Sequence, residues 1–495
     1  MIDVSYGAMA LMELLRRYLK DPDLILGFDM HTKGKFINPF DTQLGYRHPL
    51  NSQKEFLVNL IVMIVRRAGS EEEDMVDEVA EALVKAVYRY RADEPNSHPH
   101  RYVPGKDKKI DRALEGLPVD SRTKWWDVVD MLFQKKEVDL ASSAQRYAMP
   151  ILGDLIEVIT GDATINSQFG NVNHPKLNMK ILDRISLAIT QSIDRWPMLA
   201  GHSDFSVGKA RMVAINLEHV VKDRSESGKK QAGIMYLMAR FMLTKDFLFH
   251  PLDAKSAPDL YRRYHELRAE RILTTPKLGV YDELHNTNGL PAITNQIEKD
   301  AREWRKNNGI LMLASQMPDD FSKTLANIAT SIYILTNPYG KKDNPLLDKF
   351  SLSEKEAAII KRYCVGGAEG GSGVYCLWRT KTGGDFRQLS YNVAPPAELW
   401  AYTTTPKDRA LQKYLAAQIG PENALDILSI RYPGGTAMKE IAAVKGIEKE
   451  EDIFKMMQEE EENGGLDPDV KVVGDRLISI WKEFIAGEIK REMSA

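Results

Sequence analysis

Only two cysteines, Cys364 and Cys376, occur among 495 residues. That is too few for a disulfide framework, and a reducing compartment is the default reading. Long hydrophobic runs are missing as well. The longest, residues 56–65, is interrupted by Asn59 and falls far short of the ~20 apolar residues needed to span a bilayer. The first residues are acidic and mixed, not basic and then apolar as in a signal peptide. Neither sign of charge dominates. Lys and Arg number 67 against 70 Asp and Glu, a formal net charge of -3, which gives no support to non-specific nucleic-acid binding. No internal repeat is detectable. The phosphate-cradling pattern G-x-x-x-x-G-K-[ST] is absent too. Gly34-Lys35 is followed by Phe36 and Gly208-Lys209 by Ala210, and neither has the earlier glycine or the hydroxyl that ligates Mg²⁺. The glycine-rich stretch 366–373 has no lysine and leads into a strand, so it reads as a connection.

What is present is a globular composition, 43% hydrophobic and 28% charged, with ample material for a core. The length suggests roughly three domains at about 150 residues each. The most informative stretch is Lys277-Leu278-Gly279-Val280-Tyr281-Asp282-Glu283. It is a short apolar run between turn signals, ending in two carboxylates, which predicts a buried strand. In an open α/β sheet, ligands bind beyond the carboxyl ends of strands. Two acids there divide the work of an NTPase: one serves Mg²⁺, the other orients or deprotonates the attacking water. An ordinary strand end with two solvated acids fits this heptapeptide equally well. A helix over 292–306 follows, with Ile293, Ile297, Ala301 and Trp304 on one face and Asn308-Gly309 as its stop. A second apolar run, 310–314, ends in Ser315-Gln316, and a third, 331–335, ends in Thr336-Asn337. Strand, helix, strand, helix, strand predicts a parallel α/β sheet.

The remainder is organised around that segment. Residues 1–67 read as the front of an α/β domain, with Ile2-Asp3-Val4 ending a strand, a helix over 8–19 and a short strand over 36–41. Ser52-x-x-Glu55 reads as a capping box opening a helix that runs to Arg67. From Gly69 to about Asp194 only helical patterns appear, separated by loops such as 94–104. The strand pattern returns at 211–217, followed by helices over 232–243 and 261–271. Residues 374–379 and 386–393, joined by Gly383-Gly384, predict a hairpin. Beyond Pro395-Pro396 the chain becomes helical and acidic, and Glu459 to Glu462 reads as a solvated helix face.

The order Ile2-Asp3-Val4-Ser5-Tyr6, Asn38-Pro39-Phe40-Asp41, a helical insertion, Val280-Tyr281-Asp282-Glu283 and Ala314-Ser315-Gln316 resembles the TraC/IcmB-type ATPases of type IV secretion systems. In its details it resembles the IcmB (DotO) branch of the Dot/Icm type, and the likeness covers almost the whole chain. The motifs are short, so their order and spacing carry it. The resemblance implies an α/β fold: a RecA-like P-loop NTPase core with a mainly parallel sheet over 1–68 and 195–400. It further implies an all-α insertion over 69–194 and a helical C-terminal region over 401–495. It implies ATP and Mg²⁺ as cofactors, with Asp282 serving Mg²⁺, Glu283 activating water and Gln316 sensing the γ-phosphate. Such ATPases work as rings. Arg302 or Arg305 would then reach a neighbour's nucleotide, although both read more simply as surface arginines on an exposed helix face, and Arg379 is a weaker candidate of the same kind. In that family the phosphate loop lies just before the strand matching Ile2-Asp3-Val4. This chain therefore resembles the part that follows it, and alone is expected to bind ATP very weakly and to be inactive. Implied partners are copies of itself, a membrane-embedded secretion core and a DotB-type hexameric ATPase, with no direct nucleic acid. The implied location is the bacterial cytoplasm at the face of the inner membrane. A non-catalytic docking scaffold and a DNA-translocating coupling-type motor stand as alternatives.

Overall fold

Five short runs pair into one sheet: β1 (Ile2–Asp3), β2 (Ile25–Asp29), β3 (Met212–Asn216), β4 (Lys277–Tyr281) and β5 (Gly309–Leu313). Their spatial order is β2-β3-β1-β4-β5. The computed structural model describes residues 1–495 except 5–6, 20, 31–34, 67–74, 205–206, 209, 222, 224, 337–344, 366–370, 381, 383, 404, 448, 450, 454–455, 457–466 and 493–495, and except the side chains of 17–18 and 485–492. β1 runs parallel to β3 and β4, and β4 runs parallel to β5. Parallel neighbours require crossovers, which the intervening helices supply.

Register decides what meets at the strand ends. Ile2 lies beside Ile215 and Tyr281, Asp3 beside Asn216, and Tyr281 beside Leu313. Asp3, Asn216, Asp282 and Ala314 therefore leave the sheet at one level. The start of the β4–β5 pair is tied by Lys277, whose buried ammonium donates to the carbonyls of Thr275 (3.0 Å), Asn307 (2.6 Å) and Ile272. Asn308 turns the chain into β5 in the left-handed region, φ 57°, so the helix stop read from Asn308-Gly309 holds. Gly279 lets Trp304 lie on β4: a Cβ there would stand 2.2 Å from the indole ring. On the opposite face of the same two strands Leu278, Ile310 and Met312 are exposed.

The helices Asn51–Val65 and Glu226–Thr244 pack together through Phe56 and Phe241, whose rings stack with centroids 4.1 Å apart. The helix Glu226–Thr244 also packs on β1. Between residues 76 and 195 come seven helices among the described residues, from Val76–Arg91 to Ile181–Arg195, and no strand, as the helical insertion predicts. Trp125 and Trp126 are buried there, and Arg91 binds Asp154 through two donors at 3.1 and 2.6 Å. This helical segment clusters with the five-stranded sheet in one compact unit, Met1–Val4 with Leu26–Gln316.

The second unit comprises Ser5–Ile25 and Met317–Ala495. It holds a three-stranded sheet of β6 (Ser331–Ile334), β7 (Ser372–Arg379) and β8 (Asp385–Asn392). The β7–β8 hairpin forms as read from the sequence. Ile332, Ile334, Tyr375 and Leu377 build its core with Leu346, Phe350 and Ile360. The C-terminal helices enclose a separate core around Trp400, Leu411, Leu428, Ile441 and Val473.

Four local expectations need correction. The run 331–335 is not a third parallel strand, because β6 pairs antiparallel with β7. No strand forms over 36–41. There the Asn38 side chain accepts from the Phe40 amide (3.1 Å) and donates to the Pro150 carbonyl (2.8 Å), a turn rather than a ladder. The helix at 51 starts two residues earlier than a Ser52 cap requires, with Leu50 as a cap that makes no side-chain bond, and Glu55 pairs with Lys299 (3.2 Å) instead of closing a capping box. β2 was not anticipated. The expected end of that helix at Arg67, Asn337, most of the glycine-rich stretch and Glu459 to Glu462 lie outside the described residues.

Gly279→Ala is expected to lower stability by about 1–3 kcal/mol, the usual cost of overpacking, read as a lower urea midpoint. An unchanged midpoint would show that Trp304 is not pressed on β4.

Candidate active site

β4 ends at Tyr281, and the next two residues turn sharply. The Asp282 amide still donates to the Ile2 carbonyl (3.0 Å), which continues the ladder one step. Glu283 then adopts φ 52°, ψ 50°. A left-handed conformation in a non-glycine residue costs on the order of 1–3 kcal/mol and persists only where the surroundings impose it. They do so here. The Leu284 amide donates to the Ala314 carbonyl (2.9 Å) and the His285 amide to Ser315 Oγ (3.2 Å), so the turn after β4 is fastened to the turn after β5.

The side chains follow from that turn. Gln316 Nε2 donates to both carboxylate oxygens of Glu283, each at 3.1 Å. His285 Nδ1 stands 3.0 Å from Glu283 Oε2, but off the hydrogen-bonding direction, so that buried nitrogen has no aligned partner. Asp282 Oδ1 accepts the Glu283 amide (2.9 Å). Burial, with the Asp3 carboxylate next in weight, pushes the Asp282 carboxyl above its usual range against that hydrogen bond. Burial also pushes the Tyr236 and Tyr281 hydroxyls up. The arrangement is an acid poised to take a proton from, or orient, a water, an amide that can both donate and accept, and a neighbouring acid at the same strand end.

The residues named from the sequence separate into two groups. Asp282, Glu283 and Gln316 come together at the ends of adjacent strands. The arginines do not join them. Arg302 is exposed and pairs with Glu298 one turn away (3.7 Å), and Arg305 is exposed in the turn that follows. Arg379, in the second unit, donates to the carbonyls of Ala326 (2.5 Å) and Ala329 (3.3 Å), closing the C-terminal end of the helix Lys323–Ile328. Asp3, Tyr236 and His285 were not singled out. Asp3 carried a readable signal, an acid closing an apolar pair; Tyr236 on its helix carried none.

Behind the site, Arg240 and Asp300 clamp two helices. Arg240 Nε and Nη2 reach the two carboxylate oxygens at 2.7 and 2.6 Å, and Gln296 donates to the same group (2.9 Å). The pair joins the helix that carries Tyr236 to the helix Pro291–Glu303 that follows β4.

Whether these donors suit Mg²⁺ is a matter of their chemistry. Hard carboxylate oxygens fit it, and Mg²⁺ needs only one or two of them beside water and substrate phosphates. Among the described residues no group of three or more His, Cys, Asp or Glu side chains forms a closed metal cage, and no helix is long and apolar enough to cross a membrane.

No family model and no curated protein matches the chain. Solved structures similar to it include VirB4 of Thermoanaerobacter pseudethanolicus, 15% identical, covering 80% of this chain and 82% of that one with a TM-score of 0.44. The bacterial conjugative coupling protein TrwBdeltaN70 is 12% identical over 79% and 76%, with a TM-score of 0.27. The plasmid coupling protein TrwB in complex with the non-hydrolysable GTP analogue GDPNP is 12% identical over 78% and 77%, with a TM-score of 0.26.

Asp300→Ala would leave the Arg240 guanidinium buried and unpaired. The expected loss is about 3–5 kcal/mol in chemical denaturation, the usual cost of breaking a buried pair, whereas Glu298→Ala, whose partner Arg302 is exposed, should change stability by less than about 1 kcal/mol.

Proposed function

We propose that this chain is an ATPase subunit of a bacterial type IV secretion machine, built on a RecA-like core. The observation that carries the proposal is the contact between Glu283 and Gln316, across the ends of two paired parallel strands and beside Asp282. Asp282 holds Mg²⁺, directly or through water. Mg²⁺, when bound, neutralises charge developing on the transferring phosphoryl group. Glu283 orients the attacking water and takes its proton. Its left-handed backbone and the two fastened turns hold the carboxylate ready, so little reorganisation is left for the reaction. Gln316 now spends both carboxylate contacts on Glu283. Released, its amide can meet a γ-phosphate oxygen or the water, which makes it a reporter of nucleotide state.

The phosphate cradle is missing from the sequence. The resemblance puts it on a loop and helix just before the strand matching β1, and Leu278, Ile310 and Met312 form an uncovered apolar face where such a helix would pack. Alone, the chain binds ATP weakly. Copies assemble as a ring at the cytoplasmic face of the inner membrane, on the membrane-embedded secretion core and beside a DotB-type ATPase. Arg305, exposed, and Arg302, exposed and held only by its surface pair with Glu298, are the residues placed to reach a neighbour's nucleotide in such a ring.

In a protein that includes the phosphate loop, Glu283→Gln should bind ATP nearly as tightly as wild type and lose on the order of a hundredfold or more in turnover. Asp282→Asn should weaken Mg·ATP binding itself. Steady-state hydrolysis, nucleotide affinity and secretion are the measurements. Normal hydrolysis by Glu283→Gln removes the assignment of β4 as the strand of the metal and water acids. Lost hydrolysis with intact secretion favours the docking-scaffold reading.

A further inference from the structure

We propose that His285 is a positioning residue of the same reaction: it takes over the Glu283 carboxylate when Gln316 releases it. The inference deepens the reading of Glu283 as the acid that orients the water, and it rests on that reading.

Glu283 has two neighbours able to hold its side chain, one on each of the two fastened turns. Gln316, after β5, holds both carboxylate oxygens at 3.1 Å. His285, in the turn Leu284–Thr287 after β4, places Nδ1 3.0 Å from Oε2. That distance suits a hydrogen bond, and only the direction fails. The nitrogen is shut off from water and has no hydrogen-bond partner. Polar atoms in that state are few in folded proteins, and each calls for a reason. Here the reason is a contact withheld. The last torsion of a glutamate side chain is soft, so the carboxylate can turn towards Nδ1 without any movement of the backbone. Gln316, bonded to both oxygens, blocks that turn.

The backbone around the pair is fixed. Glu283 is held in the left-handed region, φ 52°. Its carbonyl accepts the Asn286 amide (3.0 Å) and Asn286 Nδ2 (3.1 Å). The His285 amide donates to the hydroxyl of Ser315 (3.2 Å), the residue before Gln316. Both rivals for Glu283 therefore hang from one fastening, and only side-chain torsions distinguish the two arrangements. In the first, the Gln316 amide is spent on Glu283. In the second, that amide is free for a γ-phosphate oxygen or the attacking water, and the His285 Nδ1–H keeps the carboxylate aimed. Without His285, the exchange would leave a half-buried carboxylate with no side-chain donor at the moment it must point at the water.

The first test uses this chain without nucleotide. Nitrogen-15 labelling of the histidines reports which ring nitrogen carries the proton, a choice set by hydrogen bonding. The His285 signal is the one lost in His285→Asn. In Gln316→Ala the Nδ1 resonance should move to that of a hydrogen-bonded N–H, and adding Glu283→Ala should cancel the move. Gln316 is exposed and His285 partly so, and neither change empties the core. The second test uses a protein that includes the phosphate loop. His285→Ala should lower kcat roughly tenfold or more, the scale of one hydrogen bond to a charged group, with KM for ATP unchanged. His285→Asn, whose amide can reach the position of Nδ1, should recover part of that loss. An unmoved Nδ1 resonance in Gln316→Ala overturns the proposal, and so does undiminished turnover in His285→Ala. The ATPase reading fails separately: normal hydrolysis by Glu283→Gln, with the Nδ1 resonance still moving in Gln316→Ala, would leave a side-chain exchange that serves no nucleotide.

Discussion

The parallel pairing of β4 with β5 is the contact on which the candidate site depends. Five residue pairs hold the two strands in register, and Lys277 ties their starts together through three carbonyls. A slip of one residue would turn every side chain to the other face and would part Glu283 from Gln316. The register also ends both strands at one edge, so that two otherwise unremarkable turns fasten to each other there. Parallel strands are what bring the carboxyl ends of separate chain segments to a common edge. An antiparallel pair would have sent Ser315 and Gln316 to the opposite end.

The site stores cost and the surrounding packing sustains it. Glu283 sits in a conformation that a non-glycine residue rarely adopts, and Asp3 is buried beside Asp282. Against this stand apolar packing along Gly279 and Trp304, the stacked Phe56 and Phe241 rings, and the Arg240–Asp300 clamp. The clamp has a positional role. It joins the helix Glu226–Thr244 to the helix that follows β4.

Much of this was legible in the sequence, for physical reasons that can be named. β4 and β5 were visible as apolar runs closed by polar residues, although one face of the pair, Leu278, Ile310 and Met312, is exposed rather than buried as that pattern suggests. The hairpin β7–β8 was visible through its alternation and glycines, and the helical insertion through its 3.6-residue period. The pairing of β6 was not legible: an isolated apolar run does not say which strand it joins, and a helix expected between β5 and this run made a parallel crossover the natural reading. The loop at Asn38 misled because Phe36, Ile37 and Phe40 look like strand residues, whereas the Asn38 side chain claims the local backbone donors. Tyr236 was hidden for a different reason. On a helix buried around most of its surface, one tyrosine among Met and Leu gives no sign that its hydroxyl is left without a hydrogen-bond partner.

On the function proposed above, the edge formed by Asp282, Glu283 and Gln316 is the metal and water side of an ATP site. The most direct measurement is calorimetry of Mg·ATP binding to this chain alone and to the same chain preceded by a strand, G-x-x-x-x-G-K-[ST] loop and helix. The account predicts binding near background for the first and micromolar binding for the second, with the gain removed by Asp282→Asn. Micromolar binding by the chain alone, or a gain indifferent to Asp282, would contradict it.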